Sequence, residues 1–145
     1  MSSIITYCSH CYVKNRMNLS RPPQEARCGR CHHPLIDLTP VVATDANFEA
    51  LIASDIPVVI DFWASWCGPC LQFAPTFNAV ATELEPRFRF AKLDTEKESN
   101  LAARFAIRSI PSLLVFQRGQ VIAQRSGALP ASLFRQWLET LPRAS

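Results

Sequence analysis

The run at 57–63 reads PVVIDFW, an almost unbroken apolar stretch interrupted by Asp61. A run of that length and composition suits a strand buried on both faces. The period then changes. Phe73, Phe77, Val80, Ala81 and Leu84 fall at i, i+4, i+7, i+8 and i+11, one face of a helix predicted over about 67–84. Pro75 lies inside that stretch and should kink it. Residues 88–93, FRFAKL, are aromatic-rich and apolar apart from Arg89 and Lys92, and read as a second strand. A short helix carrying Phe48, Leu51 and Ile52 precedes the first strand, with Asp45 as its expected cap. Another is predicted around 100–105. Strands at 113–116 and 120–125 flank an Arg118-Gly119 turn and form an antiparallel hairpin. The last helix starts at Pro130 and buries Phe134, Trp137, Leu138 and Leu141. The order βαβα followed by ββα predicts an α/β fold: a mixed central sheet flanked by helices, parallel pair first and hairpin last.

The first 38 residues show no comparable periodicity and carry a Pro22-Pro23 break. A segment this small cannot bury a useful core and needs a staple such as a metal. The chain of 145 residues is therefore read as a module over 1–38 and a domain over 39–145, with no internal repeat. A hydrophobic share of 48% excludes a disordered chain, and no apolar run is long enough to cross a membrane. Residues 1–16 show Ile4-Ile5 and then polar residues, unlike a secretory signal, so a cytoplasmic location is expected. In that compartment six cysteines point to metal binding or redox catalysis rather than a disulfide framework.

Charge sharpens the division. Residues 1–40 carry five basic and two acidic side chains, a surplus of three, whereas 41–145 balance at ten of each. A basic patch can mark a nucleic-acid footprint. Four thiolates around one Zn²⁺ would instead carry a net −2, leaving the segment about +1. The second account is favoured, because only Tyr7 and Tyr12 supply aromatic rings there.

Cys67-Gly68-Pro69-Cys70 sits where a buried strand hands over to a helix. A thiolate at a helix N-terminus faces free N–H groups and the positive end of the dipole, which lowers its pKa. Pro69 lacks only an N–H that the first turn leaves unpaired, and it stiffens the spacer. Cys67 is expected to be the more accessible, attacking thiolate, and Cys70, one turn deeper, to resolve the mixed disulfide. A half zinc site is the alternative, but no other Cys or His lies nearby in the chain. Asp61, within an apolar strand, should have a raised pKa and can take and return a proton; an ion pair with Lys92 is the competing role.

The run from Asp61 through Trp66 to Cys70 resembles the active-site segment of the thioredoxin family. Pro75, Lys92, Ile110-Pro111, the Gly119 hairpin and Gly127-Ala128 follow in that family's order, over roughly 41–142. The resemblance implies a thioredoxin fold, dithiol–disulfide exchange with disulfide-containing protein substrates, and a cis Ile110-Pro111 bond beside Cys67. It also implies an apolar rim of Trp66, Ile110, Pro111, Gly127 and Ala128, with Gly68 and Pro69, for extended substrates. Electrons would come from an NADPH-dependent thioredoxin reductase. The chain has no dinucleotide fingerprint, so it is expected to bind neither NADPH nor flavin itself. Leu71-Gln72 stands where many thioredoxins have a basic residue, which bears on partner preference.

Cys8-Ser9-His10-Cys11 and Cys28-Gly29-Arg30-Cys31 are two CxxC knuckles 16 residues apart, a four-cysteine zinc spacing. His10, His32 and His33 are expected beside the site or facing solvent. A zinc-ribbon-like module ahead of a thioredoxin domain resembles the bacterial thioredoxin 2 group. The expected function is a monomeric protein-disulfide reductase without nucleic-acid or membrane partners. The alternative is a redox-sensing zinc module, a holdase or a partner- or nucleic-acid-binding element, that releases zinc on oxidation.

Overall fold

The apolar run at 57–63 becomes the central strand of a five-stranded sheet. A computed structural model describes residues 3–141, so the expected bounds at residues 1 and 145 lie outside the described residues. In chain order the elements are β1 (Ser3–Tyr7), β2 (Lys14–Asn18), β3 (Val41–Val42), α1 (Phe48–Ile52), β4 (Val58–Trp63), α2 (Gly68–Leu84), β5 (Arg89–Asp94), α3 (Ser99–Arg104), β6 (Ser112–Gln117), β7 (Gln120–Ser126) and α4 (Ala131–Glu139). The large sheet runs β3-β5-β4-β6-β7, with β4 parallel to β5 and antiparallel to β6. It is the mixed sheet, with a parallel pair first and a hairpin last, that the alternation of elements predicts.

Period-two alternation along β4 separates two cores. Val58, Ile60 and Phe62 face α1 and α3 with Phe48, Leu51 and Leu101. Val59 faces α2 and α4, where Phe73, Phe77, Val80 and Phe134 gather. Asp61 has the parity of Val59, which places it on the α2 face. Trp137 and Leu141 are only partly buried at the margin of that second core, rather than inside it. The cap of α1 is Asn47, not Asp45. The Asn47 side chain accepts from the Thr44 N–H and donates to the Val42 carbonyl, while the Asp45 N–H is taken by Glu98.

The first 38 residues are more ordered than their sequence suggests. β1 and β2 pair antiparallel over five residues. Alternation is faint because β2 buries only Met17. Ile4, Met17, Leu35, Ile36 and two cysteines form a small core that is completed by Ile56, from the loop before β4. Tyr7 makes the reverse exchange, entering the core on the α1 face of the large sheet. Two polar seams fasten the halves together. Asp55 accepts from the Ile5 N–H and returns its own N–H to the Ile5 carbonyl, both at 2.8 Å. Arg89 is fully buried, ion-paired to Glu85 at 3.2 Å. It donates to the Tyr7 carbonyl, Thr6 Oγ1 and Ser9 Oγ, and its guanidinium stacks 3.8 Å from the Tyr7 ring centre. Among the described residues no helix is long and apolar enough to cross a membrane.

Candidate active site and candidate metal centre

β4 delivers the chain to the dithiol. After Trp63, a turn through Ala64 brings Cys67 to the N-cap of α2, with extended φ and ψ, and Pro69 occupies the first turn. Cys67 and Cys70 form a disulfide with Cα atoms 5.2 Å apart. Cys67 Sγ accepts the Cys70 N–H at 3.2 Å, an N-cap contact made by sulfur, and lies 3.7 Å from the Ile110 carbonyl. The expected contrast in accessibility is slight here: Cys67 is 4% and Cys70 2% exposed. Trp63, Ala64 and Ile110 pack around the pair.

Asp61 is 1% exposed, and both its carboxylate oxygens lack a hydrogen-bond partner among the described residues. Lys92 stands in register with it on β5, but no ion pair forms; Lys92 Nζ instead sits 5.2 Å from the Trp63 ring centre. Burial pushes the Asp61 carboxyl up to about 7, and the Lys92 charge offsets only part of that.

Around the dithiol, Trp66 is 68% exposed, and Gly68, Pro69, Gly127 and Ala128 also face solvent. Ile110 is half-buried and Pro111 buried, so Ile110 offers the surface and Pro111 stands behind it. The Ile110-Pro111 bond is cis, as is Glu85-Pro86. Gly127 adopts φ +97°, a left-handed backbone that favours glycine, and its N–H donates to the Pro111 carbonyl at 2.8 Å.

The other four cysteines converge. Their sulfurs all lie within 4.8 Å of one another, with Cys8–Cys31 at 3.6 Å and Cys11–Cys28 at 3.7 Å. A tetrahedron with metal–sulfur bonds of about 2.3 Å has edges of about 3.8 Å, so the set fits a metal ion. The two knuckles repeat one pattern that the sequence does not display. In each, the first sulfur accepts two backbone N–H groups, from His10 and Cys11 or from Arg30 and Cys31. In each, the residue after the second cysteine, Tyr12 or His32, turns left-handed at φ 68° or 65°. The Cys31 N–H above all, with the Asn15 amide and the Arg30 N–H, pulls the Cys28 thiol down to about 5 despite desolvation. His10 and His33 stack on each other at 3.7 Å and are not among the clustered ligand atoms.

Two contributors were missed from sequence. Asn15 on β2 donates to Cys28 Sγ and accepts the Gly29 N–H. Arg89 interrupts an apolar strand just as Asp61 does, and the same signal could have marked it.

The thioredoxin family model matches residues 39–140. Thioredoxin C-3 of Corynebacterium nephridii is 42% identical over 137 residues, 94% of each chain, a span that reaches well into the first 38 residues. The thioredoxin of Chlorobaculum thiosulfatiphilum is 40% identical over 98 residues, 67% of this chain and 91% of its own. That of Haemophilus influenzae is 44% identical over 87 residues, 59% of this chain and 81% of its own.

Proposed function

The chain belongs to the thioredoxin family and is a thiol–disulfide oxidoreductase, and from that premise we propose that it reduces protein disulfides with Cys67 attacking and Cys70 resolving. The Cys67 thiolate attacks one substrate sulfur; the substrate disulfide breaks, a mixed disulfide forms, and the first substrate thiolate leaves and takes a proton from water. Asp61 accepts the Cys70 proton. The Cys70 thiolate then attacks Cys67 Sγ, closing the Cys67–Cys70 disulfide and releasing the second substrate thiolate. Two electrons pass from the dithiol to the substrate. The observation that carries this reading is the Cys67 sulfur at the N-cap of α2. The unpartnered Asp61 on the α2 face supplies the proton acceptor.

Lys92 tunes Asp61 through its charge, which favours the carboxylate. Trp66, Gly68, Pro69, Ile110, Gly127 and Ala128, backed by Pro111, bind the substrate chain in extended form. Electrons return to the Cys67–Cys70 disulfide from a separate NADPH-dependent thioredoxin reductase, in the cytoplasm. The protein acts as a monomer and binds neither NADPH nor flavin. Cys8, Cys11, Cys28 and Cys31 hold a Zn²⁺ that keeps the module over 1–38 folded against the domain over 39–145. The half-exposed Cys11 and Cys31 favour a second role, in which oxidation at these sulfurs releases the metal.

Two variants test the exchange. Cys67→Ser should abolish reduction of a disulfide-bonded substrate protein. Cys70→Ser should instead accumulate a Cys67–substrate disulfide, visible as an adduct by intact-mass spectrometry. Activity retained in Cys67→Ser overturns the assignment. Zinc per chain, measured before and after stoichiometric peroxide, separates the metal's roles: retention marks a structural site and loss a redox-responsive one.

A further inference from the structure

The seam between module and domain carries a surface that the disulfide chemistry does not use. Met17, Leu19, Pro23, Ile56 and Pro86 line an apolar groove of about 180 Å³. Leu19 is 42% exposed on its wall. The groove shares Met17 and Arg21 with a neighbouring trough of about 220 Å³, which Arg16, Arg21 and Arg27 line against a single carboxylate, Glu25. Among the described residues none of these three guanidiniums has an ion-pair partner, and Arg16 reaches only the Ser3 hydroxyl, at 3.3 Å. They also do not serve the metal site. Its side-chain and backbone donors are the Asn15 amide and knuckle N–H groups. The module's surplus of positive charge therefore faces solvent beside an apolar groove.

The position matters as much as the chemistry. Pro86 precedes β5, which runs parallel to β4, whereas the dithiol follows the far end of β4. Six residues of strand separate those ends by about 20 Å. A ligand in the groove leaves Cys67 open to substrate.

We propose that this groove and trough form a docking site for an acidic, extended segment of a partner protein, with an apolar side chain in the groove and carboxylates against Arg16, Arg21 and Arg27. Charge complementarity and the concave apolar floor favour a peptide over RNA. Stacking of bases needs exposed rings, and no aromatic side chain lines the groove or the trough.

The test is fluorescence anisotropy on the full-length protein, using a labelled probe of roughly ten residues that alternates Glu and Leu. A Lys/Leu peptide of equal length and an oligouridylate serve as controls. The Glu/Leu probe should bind, weaken as salt is raised from about 50 to 300 mM, and lose at least about tenfold in affinity in Arg16→Glu/Arg21→Glu. Leu19→Ser should weaken it too, and both variants should reduce disulfides normally. In the unaltered protein, bound probe should slow amide hydrogen exchange over residues 17–27. No binding of the acidic probe, equal binding of the Lys/Leu peptide, tighter binding of oligouridylate, probe-induced dimerisation without shielding of 17–27, or protection elsewhere overturns the proposal.

Discussion

Asp61 is a carboxylate that the fold prefers to keep protonated. Its pKa stands near 7 in the native state against an ordinary 3.8, because burial disfavours the charge more than Lys92 favours it. Between those values the native state binds more proton than the unfolded chain. The stability from this site is therefore complete below about pH 4 and lost as pH rises through 7. Asp61→Asn should stabilise the protein by about 2–4 kcal/mol at pH 8 and change little at pH 4. Urea unfolding at the two pH values checks this. The variant should also slow release of substrate from the mixed disulfide, since an amide cannot accept the Cys70 proton. Asp61 was legible because a charge inside PVVIDFW is conspicuous. Arg89 in FRFAKL was equally conspicuous, but its partners Thr6, Tyr7 and Ser9 lie at the far end of the chain, and no local pattern joins them.

At the scale of elements, β4 and α2 were readable because one carries a nearly unbroken apolar run over six residues and the other a helical period over seventeen. β3, two residues paired to β5, and β2, with one buried side chain, owe their order to neighbours rather than to themselves. The four-cysteine spacing was visible, whereas the repeated knuckle geometry was not, because hydrogen bonds from backbone N–H to sulfur leave no mark on residue identity. β2 is wired into the second knuckle by Asn15, which grips Cys28 Sγ and the Gly29 N–H at once. Asn15→Ala should lower zinc affinity by about 10- to 100-fold, the usual effect of removing a group that orients ligands. Competition with a coloured chelator reads this out, and an unchanged affinity would show that the knuckle holds its own shape.

For the whole molecule, the two halves share side chains as well as a border: Ile56 completes one core and Tyr7 enters the other. Thermal unfolding should therefore be a single transition, with zinc released in the same temperature range as loss of the sheet. An earlier, separate release of zinc would show an independent module. Arg89→Ala strands Glu85 without its partner in a buried site and should cost about 3–5 kcal/mol. Composition suggests a division near residue 38, but it gives no sign of this mutual insertion, since pattern along a chain says nothing of contacts across it. The guanidinium that satisfies Thr6, Tyr7 and Ser9 stands 80 to 83 residues further along. A ribosome adding about 5–20 residues per second delivers those polar groups roughly 4–16 s before Arg89. During that interval the first knuckle lacks its guanidinium anchor, while its partners in the small core, from Ile4 to Ile56, and all four cysteines are made. The four-sulfur cluster can therefore close on a metal ion before the guanidinium arrives to fasten it to the sheet.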